Sequence, residues 1–306
     1  MPDSSSTTSQ QFSKLGFEEE YPFDSHFLDL DGVKYHYIDE GEGQPFLMVH
    51  GNPTWSFAFR NFVREFSKTH RVIAVDHIGC GFSDKPQNYS YTLTQHIQNL
   101  SRLIQSLDLQ QITLMVHDWG GAIGFGAAIE EPRRFERFVV LNTSAFRGKK
   151  IPLRIAVCRL PILGAIAVRG LNLFAGAALK MTIDKPQRMT TAVKNGYLAP
   201  YNNWANRVAV HRFVQDIPVK KSHPSYATVL RIEEGLAQFA ECPLLLLWGM
   251  RDWCFHYGFL KEFQNRFPKC ETEAYEDAGH YVFEDAHERM IPRIRRFFGE
   301  NPLKSH

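Results

Sequence analysis

Cysteine is scarce in this 306-residue chain and follows no pattern. Cys80, Cys158, Cys242, Cys254 and Cys270 are odd in number, scattered, and never spaced C-x-x-C. That excludes a disulfide framework and a cysteine zinc site. It points to free thiols in a reducing compartment, so a cytoplasmic location is expected. An excess of charge of one sign is lacking too: 35 Lys and Arg against 33 Asp and Glu leave a net charge of +2. Such a balance argues for neither nucleic acid nor an acidic partner. No basic stretch followed by an apolar core is visible near the start, so no secretory signal is expected. No apolar run reaches the roughly twenty residues that a membrane span needs. The most apolar stretch, 151–181, is interrupted by Arg154, Arg159 and Arg169. Internal repeats and metal-ligand clusters are also missing, so neither a metal nor a cofactor is expected.

What is present is ordinary for a globular protein, with 44% hydrophobic and 22% charged residues. Residues 1–15, rich in Ser, Thr and Gln, read as a disordered tail. Strand-like segments at 26–30 and 33–38 flank the turn pair Asp31-Gly32. Further strand patterns follow at 45–50, 71–76, 111–116, 137–142, 242–249 and 271–275, with helix patterns at 93–107, 120–130 and near 257–267. This alternation implies an α/β fold with a mostly parallel sheet and helices on both faces. The alternation stops after Phe146, where 147–232 carries helical segments without an obvious strand. The expected organisation is therefore a main domain over 16–146 and 233–306, with a helical cap domain at 147–232 inserted into it.

His117-Asp118-Trp119-Gly120-Gly121 is the stretch that carries chemistry. It joins an apolar, β-prone run to a run of small, helix-compatible residues, the setting of a nucleophile elbow. Gly120 and Gly121 supply the small neighbours that such a turn needs. Two places before the centre stands Val116 instead of the usual Gly, which a slight displacement of the strand would accommodate. The central residue is Asp118. A carboxylate is a poor nucleophile toward amides but a competent one toward an sp³ carbon bearing a leaving group, where it forms an ester.

Asp118 needs partners. His280 follows a strand pattern near the end of the chain and is the candidate base for activating water. Asp252, just beyond the apolar run 244–248, is the candidate acid that fixes the tautomer of His280. The end of the strand at 137–142 is the other place for such an acid, and it carries Asn142 instead. Asp277 and Asp285 read as solvated loop charges. Asn52 offers a side-chain amide and Trp119 an indole N–H. Both are expected above the C-terminal edge of the sheet, as donors to a diffuse leaving anion such as halide. Their backbone N–H groups are the candidate oxyanion hole.

The set His50-Gly51-Asn52-Pro53-Thr54-Trp55, Asp76-x-x-Gly79-x-Gly81-x-Ser83-x-x-Pro86, His117-Asp118-Trp119-Gly120-Gly121, Asp252 and His280 resembles the haloalkane dehalogenase family of α/β-hydrolases. The resemblance spans about 24–298, more loosely in the cap. It implies Asp118 as nucleophile, His280 as base, Asp252 as acid, and Asn52 with Trp119 as the halide-stabilising pair. The Gly79-x-Gly81 stretch belongs to that pattern and is not a phosphate loop. The acid after the later strand and the Arg-punctuated cap are similar to the third dehalogenase subfamily, which also resembles the β-lactone decarboxylases of olefin synthesis. The expected reaction is displacement of halide from an apolar haloalkane followed by ester hydrolysis. The alternative is decarboxylation of a cis-3-alkyl-4-alkyloxetan-2-one to a cis-olefin.

Epoxide hydrolases share the Asp elbow and use two cap tyrosines, for which Tyr197, Tyr201 and Tyr226 are candidates. Fluoroacetate dehalogenases carry arginines right after the nucleophile, where Trp119 and Gly120 stand here. A ligand receptor of the same fold would not need an intact Asp118, His280 and Asp252. The expected partner is an apolar small molecule. The segment 151–181 reads as helices packed over the main domain, as a substrate-tunnel lining, or as a contact face for an oligomer or a membrane surface.

Overall fold

Eight strands build one sheet: β1 (His26–Asp29), β2 (Lys34–Glu40), β3 (Pro45–Val49), β4 (Arg71–Val75), β5 (Ile112–Asp118), β6 (Phe135–Thr143), β7 (Leu244–Gly249) and β8 (Glu271–Tyr275). They come from a computed structural model that describes residues 16–148, 151–160 and 162–303; the expected tail at 1–15 lies outside these. The strand order is β1-β2-β4-β3-β5-β6-β7-β8. Only β1 with β2 and β2 with β4 pair antiparallel; every later pair is parallel. The patterns read from the sequence fall where these strands form. The turn between β1 and β2 places Asp31 and Gly32 at φ 59° and 86°, the left-handed pair of a tight hairpin.

Burial explains the order. Central β5 is buried at all seven positions, as a parallel strand covered on both faces must be. Edge strand β8 alternates, with exposed Thr272 and Ala274 set among half-buried Glu271, half-buried Glu273 and buried Tyr275. Alternate residues of β3 feed two separate cores. Leu47 and Val49 join the helices Leu93–Ser106 and Trp119–Glu130 on one face. Phe46 and Met48 join the helices Arg60–Phe66 and His287–Glu300 on the other. These last two helices are not among the helix patterns at 93–107, 120–130 and 257–267.

Between β6 and β7 the described chain is helical, including Leu153–Cys158, Leu163–Gly170, Leu173–Met181, Thr191–Leu198 and Val208–Gln215. The last α-helix before β7, Tyr226–Gly235, packs on Trp119–Glu130. Among the described residues no single helix is long and apolar enough to cross a membrane. β3 is flanked by β4 on one side and β5 on the other, so the chain leaves it in both directions. The crevice outside the carboxyl ends of strands at such a switch point is where open α/β sheets place a ligand.

Candidate active site

Asp118 ends β5 with φ 51° and ψ −123°, a conformation a non-glycine residue rarely adopts and one that functional turns hold under strain. The residues around it make the turn fit. A Cβ on Gly120 would lie 2.0 Å from the Val49 carbonyl oxygen, and one on Gly121 would lie 2.1 Å from Thr143 Oγ1. Val116 is accommodated in two ways. The β5–β6 register shifts between Val116 and Asp118, and its side chain lies over Gly124, where a Cβ would be 2.7 Å from Val116 Cγ1. The Thr143 hydroxyl donates to the Asp118 carbonyl and ties the elbow to β6.

Gly51 sets the other wall. A side chain there would strike the Asp118 carboxylate at 2.1 Å, so the loop after β3 can pass close only as glycine. The approach lets the Asn52 N–H donate to Asp118 Oδ1 at 2.7 Å. The Trp119 N–H also donates to this carboxylate. Burial raises the Asp118 pKa above the usual carboxylate value, against the pull of His280 and of these two N–H groups.

His280 follows β8. Its Nδ1 donates to Asp252 Oδ2 at 2.8 Å, which leaves Nε2 on the side of Asp118 Oδ2, 3.8 Å away. Burial alone would lower the His280 pKa, but the carboxylates of Asp252 and Asp118 hold it above the ordinary value. The three side chains are all buried, with exposures of 9% for Asp118, 6% for His280 and 3% for Asp252. The structure thus brings together all five residues singled out in the sequence. Asn52 and Trp119 line the same cavity as Asp118 and His280. The Asn52 amide is held by donation to the Val210 carbonyl at 3.1 Å, and the Trp119 ring packs beside Phe213.

Two further residues position the set. Asn142, at the β6 end that is the other place for such an acid, donates to Asp252 Oδ2 at 3.0 Å. It also bonds both ways with the Gly249 backbone, at 2.8 and 2.9 Å. Its signal in the sequence was its place on the strand. Asp285 corrects the sequence reading. It is fully buried, not a solvated charge, and accepts from the N–H groups of Gly279, Asp184 and Lys185 at 2.8–2.9 Å. It thereby pins the loop that presents His280. Asp277, by contrast, is only half-buried and pairs with Lys185 and Arg289.

The cavity above Asp118 has a volume of about 410 Å³. That lies within the ~300–1,000 Å³ range of small-molecule sites. Its walls are mostly apolar and come largely from the segment after β6, including Ile155, Val168, Phe174 and Ala177. The three candidate tyrosines are elsewhere. Tyr197 bonds Glu284, Tyr201 bonds the Thr54 carbonyl and Tyr226 bonds Arg147, and none lines the cavity. The epoxide-opening arrangement is therefore not assembled. Among the described residues no group of His, Cys, Asp or Glu is placed to hold a metal.

A family profile for the alpha/beta hydrolase fold matches residues 44–287. The chain is 45% identical over 285 residues to a cis-3-alkyl-4-alkyloxetan-2-one decarboxylase of Shewanella oneidensis, covering 91% of this chain and 89% of the relative. It is 31% identical over 286 residues to haloalkane dehalogenase 2 of Mycobacterium tuberculosis, covering 91% and 96%. The crystal structure of the haloalkane dehalogenase DatA from Agrobacterium tumefaciens superposes with a TM-score of 0.81 at 26% identity, covering 90% and 96%. The strained Asp elbow, the buried His and Asp behind it and these likenesses agree: the chain belongs to the α/β-hydrolase family, in the group that includes haloalkane dehalogenases and cis-3-alkyl-4-alkyloxetan-2-one decarboxylases.

Proposed function

We propose that Asp118 attacks an sp³ carbon of an apolar substrate whose leaving group departs as an anion, and that the native substrate is a β-lactone with two alkyl chains. The observation that carries this reading is the cavity, apolar and about 410 Å³, standing over Asp118 and walled by the helical insertion. It offers two alkyl chains more room than a short haloalkane needs. The 45% identity to a cis-3-alkyl-4-alkyloxetan-2-one decarboxylase supports it.

Asp118 Oδ2 forms a bond to the ring carbon that bears the ring oxygen, and that carbon–oxygen bond breaks with inversion. The freed carboxylate lies toward the Asn52 amide and the Trp119 indole. The bond from the adjacent carbon to this carboxylate then breaks. Its electron pair becomes the alkene, carbon dioxide leaves, and the ester bond to Asp118 returns its pair to the carboxylate. Lactone becomes alkene and carbon dioxide with no water or proton consumed. Inversion followed by anti fragmentation keeps the two chains cis.

Dehalogenation is a second reading, favoured by two N–H donors, Asn52 and Trp119, facing one apolar cavity. Asp118 Oδ2 displaces halide and holds the alkyl group as an ester. Water, deprotonated by His280 Nε2, attacks the ester carbonyl carbon. The oxyanion forms on Oδ1, at the backbone N–H groups of Asn52 and Trp119, and collapse expels the alkoxide, which takes the proton back from the His280 imidazolium and leaves as the alcohol, while the regenerated carboxyl group gives its proton to solvent. Asp252 steadies the resulting imidazolium. In this reading the insertion 147–232 acts as a cap domain, the substrate is an apolar small molecule, and the enzyme works in the cytoplasm.

The test offers the purified protein 1-bromohexane and a cis-dialkyl β-lactone, and measures bromide and alkene. Alkene formed much faster than bromide is the expected outcome. Bromide without alkene would make dehalogenation the native chemistry. A diol from a matched epoxide, with neither of the other products, would overturn both.

A further inference from the structure

The helices that roof the cavity carry their apolar residues outward as well as inward. Leu153 is 78% exposed, Ile162 75%, Leu163 64% and Leu171 64%, and Leu160 and Ile166 are exposed beside them. Single exposed leucines are normal; a series along one segment marks a contact surface. Charge along the same segment is of one sign. Residues 147–183 include Arg147, Lys149, Lys150, Arg154, Arg159, Arg169 and Lys180, and no Asp or Glu stands between 137 and 183. Arg147 is paired with Glu233, and Arg159 and Arg169 donate to neighbouring oxygens. Arg154 and Lys180 are exposed, as is Lys220 next to the exposed Val219.

This surface surrounds the way into the cavity. Val157, Leu173, Met181 and Val219 are each exposed, and each also lines the cavity, so they form its mouth. We propose that this face docks on the surface of an anionic lipid membrane, with the apolar side chains entering the headgroup–acyl boundary and the cavity mouth opening onto the acyl chains. The segment cannot lie across the bilayer as one span. Leu163–Gly170 and Leu173–Met181 meet at a 70° bend, and arginines interrupt the sequence. A helical element with an apolar face and a basic rim lies in the plane of the interface instead. Negative lipid headgroups supply the counter-charge that the segment itself lacks.

A second copy of this chain fits less well. Symmetric pairing through this face would bring Arg154 and Lys180 toward their own copies, with no carboxylate between 137 and 183 to separate them. It would also close the mouth. A leaflet leaves the mouth open to molecules already dissolved in it. The inference does not rest on the reaction proposed above, because docking is measured without turnover.

The experiment is co-sedimentation of the full chain with phosphatidylcholine vesicles and with vesicles of phosphatidylcholine mixed with phosphatidylglycerol. The chain is expected to pellet with the mixed vesicles and to favour them over neutral ones by at least about tenfold. The variant L153Q/L163Q/L171Q, whose changed residues do not line the cavity, should lose that binding while keeping the circular-dichroism spectrum and melting temperature of the original chain. K180E/K220E should lose the preference for the anionic vesicles, which keeps the test open if the first variant folds poorly. Failure to pellet with either vesicle, or equal partition onto both, would overturn the proposal. Self-association abolished by L153Q/L163Q/L171Q in the absence of vesicle binding would overturn it too, and give the face to a second copy.

Discussion

The backbone N–H of Asn52 donates to Asp118 Oδ1 at 2.7 Å, and this contact makes the two oxygens of one carboxylate inequivalent. Oδ1 is held by the Asn52 N–H and is prepared to carry negative charge. Oδ2 faces His280 Nε2 across 3.8 Å, too far for a hydrogen bond, and is the oxygen with room for a carbon atom. The same N–H group serves whichever step places charge on Oδ1. What separates the two proposed reactions is therefore not the elbow but the need for His280.

Replacing His280 with Phe tests that separation. Ester hydrolysis needs a base, and losing one costs roughly 10²- to 10⁴-fold. With 1-bromohexane the variant should accumulate a hexyl ester on Asp118, seen as an intact-mass increase, and release bromide once. The fragmentation of a lactone-derived ester consumes no water. Alkene formation should then continue within about tenfold of the original rate, well short of the loss of a general base. Loss of both activities by equal factors would show that His280 takes part in the lactone reaction as well.

Asn52→Ala and Trp119→Phe remove side-chain donors and keep the backbone N–H groups. The first step should slow by roughly ten- to a thousandfold, the range for one preorganised donor. Hydrolysis of an ester already formed should hardly change, because the oxyanion site on Oδ1 is intact. Pre-steady-state measurement of bromide release and alcohol formation separates the two steps. Unaltered bromide release in both variants would remove the leaving-group assignment.

The elbow and its partners were legible because each sits where a short-range pattern changes, from an apolar strand to a turn. Asn52, Asp118, Asp252 and His280 all follow strand patterns, and parallel pairing carries strand ends to one edge. Asn142 was visible as a position but not as a partner of Asp252, since that contact depends on β6 lying beside β7. Asp285 reads as a loop charge in the sequence because it stands so near His280. Its burial comes from the backbone of residues 184 and 185, about a hundred residues away in the chain. Tyr197, Tyr201 and Tyr226 are of the right residue type for epoxide opening, but packing turns them away from the cavity for the same reason.

His96 makes the fold sensitive to acid. It is buried, stacked on Phe213, and neither ring nitrogen meets a protein hydrogen-bond partner. Burial and then the neighbouring His50 push its pKa down to about 3. An unfolded His takes up a proton near its ordinary value of about 6.5, while the folded one stays neutral. The unfolded state therefore binds more protons between these values. Stability is full above the unfolded value and falls as the pH drops toward the folded one, with a slope approaching ~1.4 kcal/mol per pH unit from this residue. His96→Phe should remove that share of the slope in urea unfolding followed from pH 7 to pH 4. An unchanged slope would mean that His96 does not titrate on unfolding.

Ala177 lines the cavity and is the place to ask how much of the chain-length preference comes from its walls. A phenyl ring there takes space that alkyl carbons would fill. Each buried methylene is worth about 0.8 kcal/mol. If Ala177→Phe displaces two methylenes of a long substrate, the loss is about 1.6 kcal/mol, or roughly fifteenfold in kcat/KM. A short bromoalkane has few methylenes to displace, so its kcat/KM should stay within about twofold. The comparison uses β-lactones of graded chain length alongside 1-bromobutane. Expected is a penalty that appears only above a threshold length and then grows with each added carbon until the displaced space is passed. A uniform loss on short and long substrates alike would instead mean that the ring disturbs Asp118 and His280, and that the long axis of the cavity runs elsewhere.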